Sequence, residues 1–293
     1  MIDLLVPTTA QGLLWAVMAL GVYITYRVLD VADLTVEGSF PLGAAVAASM
    51  LAAGFGPIPS FIGAAVAGML AGVVTAILHT KMKIPALLAG ILTMIALYSV
   101  NLRVMGKANL SLLGTDTTFT IIRNMFGLNS AHTTLVVGVL ATVLVAVFMY
   151  WFFGTEIGAA IRATGSNKQM IRAQGVNTDV TTIICLMLGN GLIGIAGALI
   201  GQSQSFADAG MGTGTIVIGL ASIIIGEVLF GTRNFMNWLL AIVGGSIAYR
   251  FVVAIVLQLG FNQNDMKLLT AIMVALALAM PLIKSKFGKK KGA

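Results

Sequence analysis

The chain has 293 residues, 58% of them hydrophobic and 9% charged, with a mean hydropathy of +1.00. A soluble globular chain carries about 25% charged residues, so this one cannot cover a water-facing surface and reads as an integral membrane protein. The net charge of +7 is scattered singly over loops and gathered in one tail, "KSKFGKKKGA", which suits membrane orientation and argues against a nucleic-acid partner.

The N-terminal stretch "MIDLLVPTTAQG" lacks the basic start of a secretory signal, so the first apolar run is expected to stay in the membrane. At about 20 apolar residues per crossing, the chain divides into about nine segments: 10–29, 36–54, 58–79, 84–104, 134–153, 180–201, 212–230, 235–258 and 267–283. No charge occurs between 38 and 80, yet "GFGPIP" at 54–59 supplies a turn that splits this run into two helices. The polar, glycine-rich "QSQSFADAGMGTG" separates the sixth and seventh segments. Cys185 lies alone in an apolar run, so neither a disulfide framework nor a thiolate metal site is expected.

Lys and Arg concentrate in "YRVLDVADLTVE", "TKMK", the loop at 154–179, "GTRN" and the tail. Placing these in the cytoplasm puts the N-terminus outside and the C-terminus inside. The opposite side then receives "GFGPIP", the 105–133 loop, "SQSFADAG" and "GFNQND", with Arg103, Lys107, Arg123 and Lys267 as exceptions to the bias. The expected fold is all-α and polytopic, one domain over 1–293. Small residues, as in "GAAVAGMLAGVV" and "GNGLIGIAGALIG", allow close helix packing. They also permit broken helices beside a translocation path. In "EGSFPLGAA", Gly38 and Pro41 fit either such a break or an ordinary helix start with proline in its first turn.

The loop at 154–179 carries its own helix punctuation. Thr155 and Glu156 can cap a helix running to Thr164, with Gly165 as its stop. Ser166 or Asn167 can cap a second short helix ended by Gly175, and Thr178 or Asp179 can cap the next membrane segment. On the second helix Met170, Ile171 and Gln174 share one face, while Lys168 and Arg172 lie one turn apart. Such a knob, apolar on one side and basic on the other, fits a groove on a soluble partner. It equally fits an amphipathic connector lying on membrane lipid.

The stretch "GAAIRATGSNKQMIRAQGVNTD" resembles the coupling-helix region of permease subunits in the branched-chain amino acid/ribose class of ATP-binding cassette (ABC) importers. Gly158, Arg162, Ala163, Gly165, Asn167, Gly175, Val176 and Asn177 match the pattern of that region, and Ile171 stands where alanine is commoner. The likeness extends over most of the chain, including "QGLLWAVMALGVYITYRVLDVADLTVEGSFPLGAAVAA" and "GLASIIIGEVLFGTRNFMNWLLAIVGGSIAYR". "DLTVEGSFPLGA" and "LLAGILTMIALYSVNLRVMGKANL" are most similar to the tryptophan/tyrosine permease branch.

The resemblance implies a transport subunit of the bacterial inner membrane, without enzymatic activity and without a cofactor of its own. It implies two paired permease chains, here taken as a homodimer. It also implies cytoplasmic ATPase subunits that hold ATP and Mg, and an extracytoplasmic solute-binding protein. The absence of G-x-x-x-x-G-K-[ST] from the sequence agrees with ATP hydrolysis elsewhere. Arg162 and Arg172 would then make polar contacts at the ATPase groove, with Met170 and Ile171 packing into it.

Polar groups within membrane segments are costly, which makes them candidates for the solute path. Arg250 can meet a substrate carboxylate, pair with an acid or snorkel to the interface. Glu227 suits a helix-end ion pair, near Arg233, or a gate contact. Tyr98 and Asn101 suit a polar path or interhelical bonding; for Asn190 the bonding role is preferred. Asp33, Thr35, Glu37 and Ser39 suit either helix capping or an inner gate. An ion-coupled secondary transporter is the main rival, yet it calls for acids deep in the membrane, and the only acid well within a segment is Glu227, near an end. Neither H-E-x-x-H nor G-x-S-x-G occurs, which disfavours an intramembrane enzyme.

Overall fold

A computed structural model describes residues 2–260, 268–272 and 275. Long apolar runs become helices because a helix satisfies every backbone group within itself, as hydrocarbon requires. In order these are α1 (Ile2–Tyr23), α2 (Val36–Ala52), α3 (Pro57–Thr80), α4 (Ala86–Met105), α5 (Thr118–Phe126), α6 (Ser130–Phe153), α7 (Glu156–Ser166), α8 (Lys168–Ala173), α9 (Thr178–Gln204), α10 (Thr215–Phe230) and α11 (Phe235–Gln258). Two three-residue strands, β1 (Asn109–Ser111) and β2 (Phe206–Asp208), pair antiparallel with Leu110 opposite Ala207.

Six of these helical stretches are long and apolar enough to cross a membrane: Leu4–Val28, α3, α4, α6, α9 and α11. The two other apolar helices, α2 and α10, are 17 and 16 residues long, or roughly 24–26 Å at 1.5 Å per residue. That is short of a hydrocarbon core about 30 Å thick. The expected segment over 267–283 lies outside the described residues, apart from 268–272 and 275.

The helices form a bundle with α1 and α9 at its centre. Both are largely enclosed, whereas about two thirds of the apolar stretch of α3, α4, α6 and α11 is not buried within the chain, as lipid contact demands. Small residues bring α9 against its neighbours at backbone distance. A Cβ on Gly197 would collide with the Phe40 carbonyl of α2, and one on Gly43 with the Gly194 carbonyl of α9. At such contacts van der Waals packing replaces the hydrophobic drive that lipid cannot supply.

Several local expectations change on the structure. The 105–133 stretch is not only a loop, because Thr117 and Thr120 form a reciprocal capping box that starts α5. Gly165 does not stop α7; the helix runs on to Ser166, and Asn167, at φ −157°, ends it. The cap of α9 is Asn177, whose side chain accepts from the Asp179 and Val180 amides. In α2 the proline neither begins nor breaks the helix. The discontinuity lies upstream, in a π-helical turn at Ile24–Val28 and an irregular stretch over 29–35.

Candidate functional site: the 154–179 loop and a mid-depth cavity

The loop between α6 and α9 is clasped to the bundle at several points. Thr155 caps α7 by accepting from Gly158 N, and Asn167 caps α8 by accepting from Met170 N. Gly175, at φ +86°, closes the turn after α8. Gly165 lies so near the Val28 carbonyl, at the end of the π-helical turn, that a side chain there would overlap it. Gly158 packs equally closely on the Phe152 carbonyl of α6. Thr164 and Thr181 share a hydroxyl hydrogen bond of 2.9 Å between α7 and α9.

The expected coupling residues divide between anchoring and presentation. Ile171 is buried at 5% exposure and packs within the chain, so it does not share an outward face with Met170, which is 47% exposed. Arg172 donates from Nε to Thr178 Oγ1 at 2.6 Å and approaches Asp179 at 3.3 Å, which fixes α8 to the start of α9. Arg162 lies over the Phe235 ring at 5.8 Å, while Ala163 is half-buried and its carbonyl accepts from Asn167 N.

Beside this loop, Arg27 makes two charge-assisted bonds, of 2.8 and 2.7 Å, to Glu227. Trp238 Nε1 donates to the same carboxylate at 3.2 Å. Glu227 is therefore the helix-end ion pair expected for it, but its partner is Arg27 of the π-helical turn rather than nearby Arg233. The clasp ties the end of the first span to the end of α10.

A second polar region lies about 18 Å along α9 from Thr178, at Asn190. Asn190 Nδ2 donates to Asp33 Oδ2 at 2.7 Å and to Leu186 O at 3.0 Å, and its Oδ1 accepts from Ser39 Oγ at 2.7 Å. Asp33 Oδ1 accepts from Thr35 N at 2.9 Å. Thr35 continues through Thr75 (2.7 Å) to Thr93 (2.9 Å), which joins α2, α3 and α4. A buried carboxylate persists only where hydrogen bonds replace its water, and this network supplies them. Asn190 and Ser39 thus bind helices together, the role preferred for Asn190.

The same depth is reached from the other side. The segment after β2 descends along α2 until Gly212 touches the Glu37 carbonyl and Pro41. Gly214 N then donates to Glu37 Oε1 at 2.9 Å. Both α2 and α10 therefore begin part-way through the bundle, and each is short because an irregular segment occupies the rest of its path. Irregular backbone at such depth occurs in transporters where it lines a cavity. A cavity of about 470 Å³ is present here, with Glu37, Met94, Tyr98, Asn101, Gly210 and Thr213 in its wall. Tyr98 and Asn101 are thus brought together as expected, in company with Glu37.

Arg250 is not in that wall. Its guanidinium stacks on Trp15 at 4.2 Å, and its Nε has no hydrogen-bond partner among the described residues. Glu37 was expected from sequence as a helix cap or inner gate, whereas Thr213 and Met94 were not singled out. The one signal was the run "DAGMGTG", which reads as a surface loop because nothing local reveals its descent. Among the described residues no cluster of three or more potential metal ligands occurs.

Long apolar helices around two helix starts inside the bundle, with a clasped loop at one end, are the arrangement of a polytopic membrane protein. The chain belongs to the branched-chain amino acid transport system / permease component family, whose model matches residues 4–279. It is the membrane-spanning permease component of an ABC-type transport system. It is 39% identical over 275 residues to a tyrosine transport system permease protein of Clostridioides difficile, covering 94% of this chain and 90% of that one. An uncharacterized protein of Rickettsia prowazekii is 31% identical, over 94% of this chain and 97% of its own length. The autoinducer 2 import system permease protein LsrC of Yersinia pseudotuberculosis is 27% identical, over 88% of this chain and 71% of its own. No solved structure matches the chain.

Proposed function

We propose that two copies of this chain form the membrane core of an importer that carries an amino acid, aromatic or branched-chain, across the bacterial inner membrane. About nine helices span the bilayer, with the N-terminus outside and the C-terminus in the cytoplasm. Separate ATPase subunits bind ATP and Mg and dock on α7 and α8, while an extracytoplasmic binding protein delivers the solute. The family and the tyrosine-permease relative support the amino acid.

The observation that carries the coupling role is the seat of Gly165 on the Val28 carbonyl. A push on α7 reaches the π-helical turn directly and reaches α9 through the Thr164–Thr181 bond. Both lead on to the network of Asp33, Ser39 and Asn190, and so to the first turn of α2, where Glu37 borders the cavity. On this reading Gly158, Gly165 and Ile171 anchor the loop, while Met170 and the outer face of α8 meet the ATPase.

The test is affinity purification of the tagged chain from its native membrane, with mass spectrometry of bound proteins. Recovery of an ATPase at about one copy per permease, together with a binding protein, is the expected result. Recovery of the chain alone, even after gentle cross-linking, overturns the reading in favour of an ion-coupled secondary transporter.

A further inference from the structure

Beside the 154–179 loop, a cavity of about 270 Å³ lies between the π-helical turn, α7 and the α10–α11 turn. Arg27, Arg162 and Arg233 line it, one from each of these segments, and no acid does. Cations gathered in one wall repel each other unless a counter-charge intervenes. Glu227 answers one of them: both of its oxygens bond Arg27, and Trp238 Nε1 donates to it as well. Neither Arg162 nor Arg233 forms an ion pair among the described residues. Two guanidinium charges in this wall are therefore left uncompensated.

The donors suit an anion with several oxygens. The Arg162 guanidinium lies over the Phe235 ring at 5.8 Å; such a contact uses its face and leaves the N–H groups of its edge to bond. Helix α11 begins in the same wall, at Asn234 and Phe235. Asn234 does not cap the helix with its side chain, and no acid lies in the first turn. The amides of that turn thus add donors and positive partial charge. Guanidinium forks match the oxygens of a phosphate in particular.

The surroundings choose among phosphates. Leu229 and Phe230 at the end of α10, and Met236 and Leu240 on α11, are exposed. The Phe230 ring lies along α11 beside Gly244, so apolar surface continues from the cavity towards the middle of the bundle. Trp238, also in the wall, has the pairing of polar tip and apolar ring typical of headgroup depth. A small free anion makes no use of apolar surface beside its charge. A lipid uses both, and basic pockets between membrane helices suit anionic heads.

We propose that this cavity binds the phosphate of an anionic glycerophospholipid, held by Arg162, Arg233 and the first turn of α11, with its acyl chains along Leu229, Phe230 and Leu240. A lipid so held bridges α7 to the α10–α11 turn. It thereby ties the 154–179 loop to the helix end that carries the Arg27–Glu227 clasp. The site is independent of which solute the protein carries.

The test titrates the purified complex in detergent micelles with phosphatidylglycerol or with phosphatidylcholine of the same acyl chains, and counts bound lipid by native mass spectrometry. Two uncompensated arginines are expected to favour phosphatidylglycerol about thirtyfold. Arg162→Gln and Arg233→Gln should each lower that preference about fivefold, and the double variant should abolish it. Lys81→Gln combined with Lys83→Gln removes two exposed cations outside the cavity and should leave the preference intact. If Arg162→Gln does not assemble, Arg233→Gln decides, because Arg233 is exposed and its loss breaks no ion pair. No preference in the wild-type complex, or an undiminished one in the arginine variants, overturns the site. An equal loss in the lysine variant also overturns it, because the attraction is then general surface charge. Inorganic phosphate at the same concentration as the lipid should not displace it; displacement would assign the cavity to a free anion instead.

Discussion

Replacing Asn190 with leucine, similar in volume, removes the polar centre of the bundle while keeping its bulk. The Asn190 amide is fully buried and holds Ser39 Oγ, Asp33 Oδ2 and Leu186 O. After substitution the Ser39 hydroxyl loses its short acceptor and keeps only Val36 O at 3.5 Å, a cost of about 1 kcal/mol. Asp33 keeps the Thr35 amide but loses its short bond from α9. A hydrogen bond to a buried charge is worth about 1.5–3 kcal/mol. Leu186 O still accepts within the helix, so its loss adds little. The sum is about 2.5–4 kcal/mol; interhelical bonds in membranes average only ~0.6 kcal/mol, so the lower end is expected. The assay is reversible SDS unfolding in mixed micelles of the wild type, Asn190→Leu, Ser39→Ala and the double variant. A loss below about 1 kcal/mol, or full additivity of the two single changes, would show that the network does not hold the helices together.

Three further outcomes follow from contacts elsewhere. Gly197→Val forces a side chain into the Phe40 carbonyl and is expected to cost about 3 kcal/mol, whereas Gly56→Ala, whose new Cβ meets only Pro59 Cδ at an ordinary 3.8 Å, should stay within about 0.5 kcal/mol; the same unfolding assay compares them. Glu227→Gln removes the ion pair with Arg27, whose side chain is 46% exposed; the expected loss is only about 0.5–1 kcal/mol, shrinking as salt is raised, as thermal melts at low and high salt would show. Arg172→Glu sets a second acid beside Asp179 and breaks the bond to Thr178; solute-stimulated ATPase activity should fall severalfold while the permease pair remains assembled, and unchanged stimulation would remove α8 from the coupling path.

Much of the architecture was legible because its causes are local. Apolar runs of sufficient length must become helices in hydrocarbon, and they appear close to the expected bounds. The two short helices of the 154–179 loop were readable from Thr155, Asn167 and Gly175, since capping acts over three or four residues. Gly165 was misread for the complementary reason. A glycine near a helix end looks like a stop, but here its missing side chain admits the Val28 carbonyl from more than a hundred positions away.

Sequence by itself therefore determined a helical membrane bundle, the two short helices within the 154–179 loop and the family. Only the tertiary structure decided that Glu227 pairs with Arg27 rather than Arg233. Likewise, only it set Asn190 between Asp33 and Ser39, and brought "DAGMGTG" down to meet Glu37 at mid-depth. These pairings join residues 150 to 200 positions apart, and no local propensity records them. They follow from which helices the small residues of α9 allow to approach, a property of the assembled bundle.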